Sequence, residues 1–116
     1  MTADGSPAAL LADERQAALD RLAALERDFS AIVDAAGQAD ADDEHDPEGA
    51  TLAFERQHVA ALADAARDGL AEILAALARL ADGSYGTCEA CGRPISAERL
   101  AARPAARTCV GCVRSR

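Results

Sequence analysis

The 116-residue chain has no tryptophan and no lysine, one methionine, one tyrosine and two phenylalanines. Aromatic residues make up only 3% of it, so the large side chains that fill a thick core are missing. That scarcity argues against a sandwich, a doubly wound sheet and most enzyme scaffolds, all of which need deep apolar layers. No apolar run approaches the roughly 20 residues that span a bilayer. The N-terminus from Met1 to Pro7 has no basic region of the kind that opens a secretory signal. From both absences a cytoplasmic protein with no membrane partner is expected.

What is present is helix former. Half of the residues are hydrophobic by class, and 31 of them are alanine. Alanine has the best helix propensity and loses no side-chain entropy, so the composition favours long helices in a thin layer within one small domain. The formal charge is −8, and it is unevenly spread. Residues 1–82 hold 18 carboxylates against 6 arginines, whereas residues 83–116 hold 2 against 6. An acidic helical part repels a phosphate backbone, so nonspecific nucleic-acid binding through it is disfavoured and a protein partner with basic surfaces fits better.

Ser6 before Pro7 reads as a helix start, because the serine hydroxyl caps an orphan amide and proline at the first helical position needs none. Leu11, Ala18, Leu25 and Ile32 then repeat every seven residues, with Leu22, Phe29 and Ala36 as a second column. Beyond a polar link, Leu52, Val59, Ala66, Ile73 and Leu80 form one column, and Ala63, Leu70 and Leu77 the other. Two matching two-column seams predict an antiparallel coiled-coil hairpin with helices of about 30 residues, or roughly 45 Å at about 1.5 Å per residue. Gly83 to Gly86 breaks the periodicity and ends the second helix. The predicted organisation is a flexible N-terminus over 1–6, a hairpin over 7–82 with its acidic tip at 37–50, and a cysteine module over 83–116.

In that module Cys88, Cys91, Cys109 and Cys112 are spaced C-x2-C-x17-C-x2-C. Two thiolates two residues apart reach one ion from a single tight turn, and two such knuckles complete a tetrahedron. Gly92 and Gly111 are expected to permit the two turns. Ser96 is expected to cap a short helix over Ala97 to Ala102, closed by Arg103 and Pro104. Four sulfurs leave a metal no open coordination position, so a structural ion, one Zn2+, is the expected cofactor and catalysis is not. A rubredoxin-like iron site uses the same donors and is the alternative chemistry. Neither histidine is followed by the glutamate a zinc deaminase needs, since His45 precedes Asp46 and Pro47 and His58 precedes Val59 and Ala60.

From Asp40 to Glu48 the chain reads DADDEHDPE, six carboxylates in nine residues. Asp46 before Pro47 is a helix N-terminal signature. The remaining acids repel one another and are tolerated in a solvated loop, or against a cation or a basic surface. The segment lacks the ligand spacing of an EF-hand.

Taken together, the two-helix pattern, the acidic tip and the stretch GSYGTCEACGRPISAERLAARPAARTCVGC resemble the DksA/TraR family of bacterial transcription factors. The resemblance runs from about Leu10 and is most specific from Tyr85 to Cys112. It implies a non-enzymatic regulator without direct sequence-specific DNA binding that binds RNA polymerase directly, pushing its coiled coil into the secondary channel so that the acidic tip approaches the catalytic centre. The family's tip motif is Asp-x-x-Asp-x-Ala; Asp43 and Asp46 match both aspartates, and Glu48 stands where the family has alanine. Some members act with guanosine tetraphosphate through basic residues, of which only Arg103 matches, while Glu72 and Val113 occupy the two lysine positions. A carboxylate beside a polyphosphate is repulsive, so weak or absent nucleotide dependence is expected. The alternative reading is a zinc-stabilised coiled-coil adaptor for another partner.

Overall fold

A computed structural model describes residues 5–39 and 47–114. Two long helices dominate it, α1 at Pro7–Ala39 and α2 at Pro47–Asp82, followed by the short α3 at Ala97–Ala102 and α4 at Val110–Arg114. The start of α1 follows the sequence: the amide of Ala9 donates to the Ser6 hydroxyl at 3.1 Å, and that of Leu10 to the Ser6 carbonyl at 2.9 Å. Among the described residues no helix is long and apolar enough to cross a membrane.

The chain divides into two compact units, one made of Ala18–Gly69 and the other of Met1–Ala17 with Leu70–Arg116. Each contains stretches of both long helices. In the first, α1 and α2 pack antiparallel, and the Arg67 guanidinium reaches Glu26 across the helices at 3.2 Å and Asp64 on its own helix at 3.0 Å. Every residue of the four heptad columns is buried or half-buried. The seam is shallow nonetheless, because among the described residues of this unit only Leu25 and Ala63 are buried. Alanines leave space between the helices, seen as a groove of about 190 Å³ bordered by Phe29, Ala60 and Ala63.

The second unit holds most of the core: Leu11, Ile73, Ala76, Cys88, Ile95 and Ala106 are buried there, with Leu11 and Ala76 sealed completely. Burying a leucine side chain stabilises by roughly 1.5–3 kcal/mol, so the apolar contribution is concentrated where the cysteines lie. The end of α2 is closed by a left-handed glycine, Gly83, at φ 88°. The amides of Ser84 and Tyr85 turn back onto the Arg79 carbonyl at 2.9 and 3.2 Å, satisfying the last turn as a Schellman-type cap does.

Candidate metal centre

The first knuckle is a tight loop closed on both sides. Thr87 and Pro94 form an isolated antiparallel bridge. The Cys88 amide donates to the Arg93 carbonyl at 2.8 Å, and the Ile95 amide to the Gly86 carbonyl at 2.7 Å. Inside this frame the Gly92 amide reaches back to the Cys88 carbonyl at 2.9 Å. Gly92 does so with φ at 77°, a conformation that a side chain would strain. The second knuckle reaches the same closure differently. Its amide-to-carbonyl bond, Val113 to Cys109 at 3.1 Å, is the turn of α4. Gly111 lies within that helix and is not among the positive-φ glycines, so the expectation that this turn needs its conformational freedom is corrected. A helical turn brings residues i and i+3 to one side without it.

The two knuckles are joined by the Glu89 amide, which donates to the Arg107 carbonyl at 2.9 Å. The sulfurs of Cys88, Cys91, Cys109 and Cys112 all lie within 4.8 Å of one another, and those of Cys91 and Cys109 are 3.8 Å apart. A disulfide needs about 2.05 Å. A tetrahedron with Zn–S bonds of about 2.3 Å has edges of about 3.8 Å, so the spacing suits a tetrathiolate metal site. The electrostatics agree. Backbone amides, that of Cys109 foremost, lower the Cys88 thiol to about 6, and the Cys112 amide leads the lowering of Cys109. Cys112, crowded by the sulfurs of Cys109, Cys88 and Cys91, is pushed up to about 12. Four converging sulfurs cannot all carry charge by themselves; a divalent cation among them relieves that repulsion.

Between the knuckles, α3 runs where the Ser96 cap placed it. The Arg99 amide donates to the Ser96 hydroxyl at 3.1 Å, and the Arg103 amide closes the helix on the Arg99 carbonyl at 2.7 Å. The segment from Pro104 to Thr108 has no regular structure, and side chains take up its carbonyls. Tyr85 donates its hydroxyl to Pro104 at 2.7 Å, Arg99 Nε donates to Thr108 at 2.8 Å, and Arg79 reaches Ala105 and Ala106 at 3.4 and 3.5 Å. Arg107 Nε pairs with both Glu72 and Glu89 at 3.2 Å, tying α2 to both knuckles. The sequence reading missed these arginines. Only Arg79 carried a signal, as a cation in the last turn of a helix where carbonyls are left over.

A cleft of about 690 Å³ opens beside this network, lined among others by Glu14, Glu72, Arg99, Arg103, Arg107 and Val113. It brings together the three positions singled out for nucleotide contact: Arg103, Glu72 and Val113. Two of its arginines are already engaged, Arg99 on a carbonyl and Arg107 on carboxylates. Of the tip residues, Asp43 and Asp46 lie outside the described residues, and Glu48 belongs to the first turn of α2.

Fold and site together define a mainly helical protein with two long packed helices and a C4 zinc finger. Residues 83–115 match the prokaryotic dksA/traR C4-type zinc finger. The chain is similar to the solved structure of transcription factor DksA2 from Pseudomonas aeruginosa, with a TM-score of 0.76 and 27% identity over 91% of this chain and 76% of that one. It is also 39% identical over 75 residues to the uncharacterised protein YteA of Bacillus subtilis (strain 168), an alignment covering 65% of this chain. That alignment spans 31% of the relative, so the chain matches about a third of its length. Its C-terminal module is thus a DksA/TraR-type C4 zinc finger, and over nearly its whole length the chain is similar to a transcription factor that carries such a module. Its four cysteines hold one structural zinc ion.

Proposed function

We propose that the protein regulates transcription by binding RNA polymerase directly and inserting its acidic hairpin tip into the polymerase's secondary channel. The observation that carries this reading is the likeness, over 91% of the chain, to a protein that is itself a transcription factor. The sequence adds the means. The two long helices lead into and out of a segment with six carboxylates in nine residues, which is suited to a metal-centred active site or a basic channel wall. Asp43 and Asp46 supply the regulatory charge, and Glu48 adds a further one. Zinc, when bound, cross-links the two knuckles and supplies folding energy. The chain's own residues do the rest: Arg79 and Arg107 tie the cysteine module to α2, and Tyr85 and Arg99 brace it from within. The site of action is the cytoplasm, where the polymerase works. DNA recognition is left to the polymerase, and guanosine tetraphosphate has little or no influence.

The test is direct binding of the zinc-loaded protein to purified bacterial core RNA polymerase, with the Asp43→Asn/Asp46→Asn variant alongside. Both bind with similar affinity on this reading, and only the unmodified protein alters transcription in vitro. No binding at micromolar protein and moderate salt overturns the reading. Equal regulation by both proteins overturns the role of the tip.

A further inference from the structure

Phe54 is 74% exposed, against 38–48% for the other exposed large apolar side chains among the described residues. It lies outside both heptad columns of α2, two positions after Leu52 and five before Val59, so it cannot join the seam by rotation of the helix. A helix needs no aromatic there, because alanine has the better propensity. Phe54 stands at the edge of a groove of about 430 Å³ whose other walls include Asp28, Ala31 and Ile32 of α1 and Glu55 and His58 of α2. Val33, the residue after Ile32, is 41% exposed. The molecule thus places apolar surface, bounded by two carboxylates, where nothing among its described residues covers it.

Charge decides what can cover it. The unit Ala18–Gly69 carries thirteen carboxylates and four arginines, a net −9, and one of those arginines, Arg67, is held by Glu26 and Asp64. A second copy meeting this face through its own would set Asp28 and Glu55 against the same residues, and a nucleic acid would add phosphates. A surface with arginine or lysine at its rim and an apolar recess at its centre satisfies both parts of the groove.

We propose that Phe54, flanked by Asp28 and Glu55, is an apolar anchor that seats in a basic-rimmed recess of RNA polymerase, a contact separate from the acidic tip. This inference rests on the reading that the polymerase is the partner. It assigns affinity to the groove and regulatory effect to the tip.

The experiment titrates zinc-loaded wild type, Phe54→Ala and the Asp28→Asn/Glu55→Gln double variant against purified bacterial core RNA polymerase at two salt concentrations. Circular dichroism and zinc content serve as folding controls. Phe54→Ala is expected to keep its helix and zinc while binding at least about tenfold more weakly, the loss expected of a buried interface aromatic. The double variant is expected to bind more weakly with a flatter salt dependence. If wild type binds and Phe54→Ala matches it, the anchor is overturned and the partner stands. If wild type does not bind, the partner falls and the anchor with it. Self-association of the wild type that Phe54→Ala abolishes would assign the groove to a second copy and overturn the proposal.

Discussion

The hydroxyl of Tyr85 donates a 2.7 Å hydrogen bond to the carbonyl of Pro104, nineteen residues along the chain. Tyr85 follows the cap of α2 and Pro104 opens the irregular segment that leads to the second knuckle, so one bond fixes the entry of the zinc module to the approach to its second half. Removing the hydroxyl leaves a carbonyl with its strongest donor gone. Tyr85→Phe is expected to lower the stability of the zinc-loaded protein by about 1 kcal/mol in urea denaturation. An unchanged midpoint would show that the bond contributes nothing.

Burial raises the Tyr85 phenol above its ordinary 10.0, with Arg79 opposing and Glu14 assisting. Because the folded-state value lies above the unfolded one, the contribution is complete below pH 10 and is lost as pH rises through the folded-state value. Tyr85 is the one tyrosine and tryptophan is absent, so phenolate absorbance follows this group alone. Its midpoint in the native protein is expected above that of the protein in denaturant; a midpoint at or below it contradicts the burial.

Cys109→Ser removes one of four converging sulfurs. The variant is expected to lose stoichiometric zinc and to melt at a lower temperature, as does the wild type treated with a chelator. Retained zinc with unaltered melting contradicts a structural site.

Glu72 pairs with Arg107 on the wall of the cleft that also holds Arg103. Both partners are about half exposed, so the pair itself is worth little, on the order of 0–1 kcal/mol. Its larger effect is on the cleft's charge. Wild type is expected to show little binding of guanosine tetraphosphate by calorimetry, and Glu72→Lys, which replaces a repelling charge and leaves Arg107 paired with Glu89 alone, is expected to bind measurably. Tight binding by wild type contradicts this account.

Gly69 lies inside α2 with nothing within 4 Å of where a Cβ would stand and no positive φ. Neither packing nor backbone requires a glycine. Gly69→Ala is expected to stabilise the protein by about 0.5–1 kcal/mol in thermal or chemical denaturation.

How much of this was legible beforehand follows from the range of each interaction. The heptad columns report a periodic burial that any helix must obey, and all their members, from Leu11 to Leu80, are at least half-buried. Ser96 and its helix are local, three residues wide, and were read to the residue. The convergence of Cys88, Cys91, Cys109 and Cys112 was written in their spacing. The five-residue α4 was not foreseen, because VGCVR has a glycine, two β-branched residues and no cap; its turn is held by the knuckle and not by propensity. Nor were the contacts of Arg79, Arg99 and Arg107 with carbonyls and carboxylates, which join residues from nine to 35 positions apart with no period to betray them. Phe54 was visible only as a residue that the seam omits.

The division of the chain sets the order in which it is assembled. Ala18–Gly69 is one continuous stretch, whereas the other unit draws on segments from both sides of it. A nascent chain leaves the ribosome N-terminus first, so the residues that seal Leu11 in its place, together with Cys109 and Cys112, arrive late. The continuous stretch can zip through local contacts while it waits. The other unit, which joins Met1–Ala17 to Leu70–Arg116, closes over an intervening stretch of about 50 residues and loses the entropy of that closure. The stretch with the thin alanine seam is therefore complete on the ribosome before the thicker core has all of its residues.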